Sequence, residues 1–298
     1  MLIGNKSSLF VPSMIFSHKL LVIRNYVLVI CIKTDDLAKL KHFNKKTNTK
    51  NVKFVFGNVH IIYEIVMTDE TVTLLRGWAE KYNDACYFQE DPIIFPKRFV
   101  SMLNGGSSCL ADVEIAAVFA AHFAWGRRSM IVRDCHRLFD EMDWKPYNYV
   151  MRGQWRDEPV SIHRTVKWSE VAAICARLKD LYSERESLET LTIPQFRTLV
   201  FGQKEDKKAP NKKINMMRRW MVRNDGRVDL GVWKNIDPQT LLIPLDVHVY
   251  QQASELGLTA RKQKDITTVE EITDAFRDIF PGDPCKGDFA LFGYGIDK

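Results

Sequence analysis

At 298 residues, with 46% hydrophobic and 27% charged side chains, the chain has the composition of a globular protein with a sizeable core, in one large or two small domains. The net charge of +6 does not describe that core. Residues 1–66 carry 10 Lys and Arg against 3 Asp and Glu, which leaves 33 against 34 for residues 67–298. None of the six cysteines is paired at C-x-x-C spacing, so the sequence supports neither a structural zinc nor an iron–sulfur cluster, and scattered thiols suit a reducing cytoplasm.

The first 66 residues differ in kind from the rest. The run Leu20 to Ile32 is apolar but broken by Arg24 and Asn25, and it is too short to span a bilayer. Lys33-Thr34-Asp35-Asp36 follows it where a signal peptide would carry small residues. Asn44 to Asn51 is polar and low in complexity and is expected to be disordered. β-alternation is confined to residues 52–66. The composition breaks just before Met67, and Thr68-Asp69-Glu70 reads as a helix start. The expectation is that translation begins at Met67, that residues 1–66 are a non-native or disordered extension, and that residues 67–298 are a single helical domain.

From Met67 onward the periodicity is helical. Thr71 to Asn83 reads as a helix. Phe88 to Phe99 reads as extended or turning, because Pro92 and Pro96 interrupt it. Asp112 is expected to cap a helix over Val113 to Trp125, whose Ile115, Ala116, Phe119, Ala120 and Phe123 form a wide apolar stripe. Helices follow over Arg128 to Met142 and Trp168 to Leu181. Residues 184–209 are charged and broken by Pro194 and Gly202. A helix over about Lys212 to Arg223 leads through Asn224 to Gly231 to Trp233. Pro244 excludes a continuous helix there and Asp246 is positioned to cap the next one, with Val249, Ala253 and Leu256 on its apolar face and Gly257 at its end. Val269 to Phe280 is the last clear helix before an aromatic C-terminal segment, Phe289 to Ile296, with Asp288 read as a cap. The fold class is all-α.

Two segments carry candidate chemistry. Lys204 to Arg223 contains eight basic residues against Glu205 and Asp206, with Met216 and Trp220 one helical turn apart and Arg219 and Arg223 on a shared face. Such a cluster can neutralise phosphates, or it can be a solvated helix face. Trp220 and Trp233 can stack on an extruded base, or pack in the core. Glu114, in an Ala-rich apolar helix, needs a buried partner, for which Arg98 is the candidate.

The second segment is Leu242-Ile243-Pro244-Leu245-Asp246-Val247-His248-Val249, ending in Leu256-Gly257-Leu258. It resembles the stretch of helix-hairpin-helix DNA glycosylases in which the aspartate is catalytic. The further segments Asp91-Pro92-Ile93-x-Phe95-Pro96-x-Arg98-Phe99, Lys212-x-x-Asn215-Met216-x-x-Arg219-Trp220-Met221-Val222-Arg223, Val228-Asp229-x-Gly231-x-Trp233 and Asp288-Phe289-Ala290-Leu291-Phe292 extend the likeness. On them the chain is identified as a member of the domain of unknown function 2400 family, which has no established reaction and is itself similar to that glycosylase superfamily.

The resemblance implies two helical subdomains around a cleft. It also implies a DNA glycosylase acting on a flipped damaged base of double-stranded DNA near the nucleoid, with a lyase step where a lysine is the nucleophile. Asp246 would stabilise positive charge on the sugar. The usual Gly-rich hairpin with its lysine is missing, and Val228 to Lys234 is a poor substitute. The archaeal 8-oxoguanine branch has its lysine at a helix start, which points to Lys212 first, then Lys213, with Lys234 as runner-up. Lys213, Arg219, Arg223 and His248 would contact nucleic acid. No metal, cofactor or membrane is expected. Two alternatives stay open: a catalytically silent nucleic-acid-binding protein on the same scaffold, and an enzyme acting on RNA or on a small base-containing substrate.

Overall fold

A computed structural model describes residues 69–297 with their side chains and, ahead of them, four strand segments as backbone. Those strands are β1 (Lys19–Ile23), β2 (Tyr26–Ile32), β3 (Lys50–Phe56) and β4 (Val59–Met67). They form an antiparallel sheet in the order β1-β2-β4-β3, with Ile30 opposite Lys19 and Tyr63, and Ile61 opposite Phe54. The expected disorder over residues 44–49 lies outside the described residues, whereas Lys50 and Asn51 begin β3. Met67, the expected start, is the last residue of β4. The chain divides into two units, Met1–Thr71 and Val72–Lys298.

The helical unit contains α1 (Asp69–Tyr82), α2 (Ile94–Asn104), α3 (Leu110–Phe123), α4 (Arg128–Glu141), α5 (Pro146–Arg152) and α6 (Trp168–Glu184). It continues with α7 (Ile193–Gln195), which runs on into a π-helical turn over Phe196–Val200, then α8 (Lys212–Val222), α9 (Val247–Glu255), α10 (Ile266–Ile279) and α11 (Lys286–Asp297). A two-stranded hairpin, β5 (Ser161–His163) and β6 (Val166–Lys167), precedes α6 and escapes any test for alternation because its strands are only two to three residues long. No helix among the described residues is long and apolar enough to cross a membrane.

α3 is the axis of this unit. Every residue from Ala111 to Phe123 is buried, including Asp112, Glu114 and His122, because the helix is apolar on all sides and α2, α4, α5 and α8 cover it. Three expectations are corrected here. Phe88 to Phe99 turns over residues 89–93 but is helical from Ile94, where α2 begins, and Pro96 lies in the first turn of that helix, where the missing N–H is not required. Asp112 is not the N-cap of α3 but lies three residues beyond it, where its carboxylate accepts the Cys109 and Tyr147 backbone N–H groups, each at 2.9 Å. Asp288 likewise lies inside the first turn of α11 and pairs with Arg219.

The end of α8 is closed by its own link. Leu230 N–H donates to the Trp220 carbonyl at 2.8 Å and Trp233 N–H to the Met221 carbonyl at 2.8 Å, satisfying carbonyls that a helix terminus leaves free. Gly231 adopts φ +57°, and a Cβ there would collide with Asn224, so glycine is required at that turn.

Candidate active site

The carboxylate picked out by the sequence arrives as its local pattern dictates. Ile243, Pro244 and Leu245 are buried, and Ile243 N–H donates to Thr273 Oγ1 at 3.1 Å, which pins the approach loop to α10. Asp246 is the N-cap of α9 and accepts the Val249 N–H at 2.8 Å. The first turn faces solvent, with Val247 and His248 both exposed.

Lys212 and Lys213 begin α8, where it meets the C-terminal end of α3. Lys212 Nζ donates to the Ala124 carbonyl at 2.8 Å. Lys213 Nζ contacts His122 Nδ1 at 2.8 Å, and His122 Nε2 in turn contacts Glu170 Oε1 at 2.9 Å. The His122 ring stacks on Phe201 with 5.3 Å between centroids, and Lys213 Nζ sits 4.8 Å from the centre of the same ring. Burial holds the His122 ring below its ordinary pKa, despite the carboxylate of Glu170. Burial also brings the Lys213 amine down to about 8, with Arg197 acting in the same direction and Glu170 against it. Hydrogen bonding to His122 lowers the Glu170 carboxyl.

Further along α8 lies a charged network. Arg219 is paired with both Asp229 and Asp288. Arg223 is paired with Asp229, with Asp225 at 3.0 Å and with Asp283 at 2.8 Å. Asp91 is raised by burial and held down by Arg219, Arg128 and Lys212. The Asp288 carboxyl is pushed up to about 6, first by burial and further by the negative charge of Asp246, against the pull of Arg219. α9 packs on α11, so the charge of Asp246 bears on Asp288, while that of Lys212 bears on Asp91.

Several expected roles do not survive. Arg219 and Arg223 are 5% and 2% exposed, with their charges consumed inside the protein, so neither meets a phosphate. Trp220 and Trp233 are each 1% exposed, and Trp233 Nε1 donates to Glu114 at 2.7 Å, so neither presents a face to a base. The partners of Glu114 are Tyr182 Oη, Ser187 Oγ, the Leu188 N–H and Trp233, not Arg98. Arg98 lies over the Trp144 ring at 3.7 Å. Lys234 is exposed, donates to the Gly231 carbonyl and sits beside the far end of α8, which at 11 residues is about 16 Å from its start.

Other aromatic and basic side chains are exposed. Trp125 follows Ala124, is 38% exposed, and carries the Arg164 guanidinium 4.3 Å from its ring centre. His163 holds it in place, contacting the Trp125 carbonyl through Nε2 at 3.1 Å and Asp134 through Nδ1 at 2.8 Å. On the surface, Ile266 N–H donates to the Lys208 carbonyl at 3.0 Å and lays two loops side by side, one bearing exposed Lys204, Lys207 and Lys208, the other exposed Lys262 and Lys264. The sequence signal for the second loop is Arg261-Lys262-Gln263-Lys264, which follows Leu256-Gly257-Leu258 after Thr259 and Ala260. Two surface pockets, of about 410 and 290 Å³, are lined by residues such as Tyr147 and Tyr182 in one and Phe88 and Ile93 in the other, and neither includes Lys212, Lys213 or Asp246. Among the described residues, no group of three or more His, Cys, Asp or Glu could hold a metal ion.

No curated protein and no solved structure matches the chain. Residues 91–297 match the family described only as protein of unknown function (DUF2400), and the chain belongs to that family.

Proposed function

We propose that this protein is a DNA glycosylase with a lyase step, acting at a sugar C1′ that has been presented together with its extruded base. One observation carries the reading. The lysines that begin α8 and the aspartate that caps α9 are more than thirty residues apart in sequence, yet α9 packs on α11, whose Asp288 pairs with Arg219 of α8. Amine attack at C1′ needs a lysine and a nearby carboxylate, the first as nucleophile and the second to stabilise positive charge on the sugar. In that step the C1′–base bond breaks with its electron pair going to the base, a C1′–N bond forms, and the amine's proton is lost.

The remaining parts have named candidates. The exposed Trp125 ring offers a face to a flipped base, in place of Trp220 and Trp233. Lys207, Lys208, Lys262 and Lys264 supply solvent-facing charge for the phosphodiester backbone, in place of Arg219 and Arg223. The likeness of residues 242–258 to the helix-hairpin-helix glycosylases, and the cleft it implies, belong to the same proposal.

The test is base release from duplexes carrying 8-oxoguanine, uracil or an alkylated base. The full chain is expected to release one of these bases, and Asp246→Asn to lose that release while keeping its fold, since asparagine caps a helix as well as aspartate does. Duplex binding that persists without any release would instead favour the catalytically silent binder.

A further inference from the structure

Lys212 and Lys213 are neighbours, yet their surroundings differ in a way that separates their chemistry. Lys212 Nζ is spent on the Ala124 carbonyl, a contact that ties the start of α8 to the end of α3. Lys213 Nζ faces a base. An ammonium has only donors, so the His122 Nδ1 that meets it at 2.8 Å is the unprotonated nitrogen, and Nε2 carries the hydrogen given to Glu170 at 2.9 Å. This is the order of a nucleophile, a base and an orienting carboxylate, with an amine in the place of a hydroxyl.

We infer that Lys213 is the attacking amine of this site and that His122, oriented by Glu170, accepts its proton. The substrate class, an aldehyde or the C1′ carbon of a sugar, rests on the glycosylase reading; the assignment of residues rests on the geometry. The groups facing the amine agree with it from each side. His122 comes from α3, Glu170 from α6, Arg197 and Phe201 from the π-turn region, and Lys213 itself occupies the positive end of α8, where an extra cation is disfavoured. Phe201 lies under both the amine and the imidazole and keeps water from that side. Arg177 acts on Glu170 and His163 on His122, one step removed. Together these surroundings leave a substantial fraction of neutral amine near pH 8.

The step balances on the residues named. The Lys213 ammonium gives a proton to His122 Nδ1, and Glu170 stabilises the imidazolium. The freed lone pair forms an N–C bond while the carbonyl π bond opens onto oxygen. His122 returns its proton to that oxygen and then relays a second one from the nitrogen. The oxygen leaves as water, and a protonated imine remains.

The test needs no nucleic acid, so its outcome is independent of the base-release assay. The full chain is treated with glycolaldehyde and cyanoborohydride, which reduces any imine to a stable secondary amine, and modified lysines are mapped by mass spectrometry from pH 6 to 11. Lys213 is expected to be modified at least about tenfold faster than exposed Lys262 at pH 7.5, with its rate levelling near pH 8 rather than near the ordinary lysine value of about 10.4. His122→Asn keeps an acceptor near the amine but cannot take the proton, and is expected to slow Lys213 about tenfold or more. Glu170→Gln, at a side chain that is 48% exposed and safe for folding, is expected to change the pH profile of Lys213 and of no other lysine. Modification of Lys212 ahead of Lys213, a Lys213 rate no higher than that of Lys262, or a Lys213 profile untouched by both variants would overturn the assignment.

Discussion

Two charged clusters lie along α8, one at its start and one towards its end, and they are built on opposite plans. Around Arg219 and Arg223 every charge has an opposite charge: Asp229 bridges both arginines, Asp283 and Asp225 pair with Arg223, and Asp288 pairs with Arg219. Burial would depress these arginines, but the carboxylates raise both of them. At the start of the helix, buried His122 and part-buried Lys213 have no full counter-charge beside the amine; the carboxylate that serves them, Glu170, is half exposed and reaches the lysine through the imidazole. A saturated cluster holds a fold. An unsaturated one keeps a base and an amine close to their exchange points, which is the condition for proton transfer near neutral pH.

The contrast can be broken most severely at its saturated end. Arg223→Met leaves Asp229 buried against Arg219 alone and should cost about 3–5 kcal/mol of stability, or prevent folding, as read by thermal or urea denaturation. Glu114→Ala should be nearly as damaging, since the Trp233, Tyr182 and Leu188 donors would each lose a buried acceptor at about 1–3 kcal/mol apiece, whereas Glu114→Gln should cost clearly less. A drop in stability under about 1 kcal/mol for Arg223→Met would mean that the network is not structural.

The unsaturated end should behave in the opposite sense. Lys213 has a folded-state pKa of about 8, below its unfolded value, so the cost of burying the ammonium is fully present below pH 8 and disappears as pH rises through the ordinary lysine range. Lys213→Met should therefore be more stabilising, or less destabilising, at pH 7 than at pH 10, by an amount on the order of 1 kcal/mol after allowance for partial exposure. Equal effects at the two pH values would remove the claim that this amine is held out of its ordinary state.

The surface predictions are smaller. Replacing Lys207 and Lys262 together by Gln should weaken duplex binding without altering stability, and should lower the slope of log affinity against log salt by about 1 for each phosphate that is no longer neutralised. Trp125→Ala should weaken binding of a duplex with a flipped base by about 1–3 kcal/mol, more than it lowers stability, because the residue is 38% exposed. A larger effect on melting than on binding would return Trp125 to a packing role.

The sequence is readable where a single segment contains the whole cause. The N-cap at Asp246 follows from one proline and one helical period, and the burial of α3 follows from its apolar residues on all sides. α2 escapes such reading because two prolines look like punctuation when one of them actually lies in a first turn, where helices tolerate it. The roles of Arg219 and Arg223 are misleading in sequence because partners such as Asp283 and Asp288 lie 60 and 69 residues away. The same limit hides the base at Lys213: His122 is 91 residues from it, and Glu170 is 48 residues from His122, so no local spacing joins the three. Opposite charges that are close in space but far apart in sequence look, from the sequence, like free surface charge.

The central claim is that the start of α8 supplies an amine to a sugar carbon under the influence of Asp246. The most direct measurement is borohydride trapping of the full chain on a duplex containing an abasic site, followed by peptide mapping of the adduct. A covalent adduct is expected at Lys213, lost in Lys213→Gln and kept in Lys234→Gln. An adduct at another lysine would contradict the assignment of the amine, and no adduct together with no Asp246-dependent base release on any duplex would contradict the glycosylase reading itself.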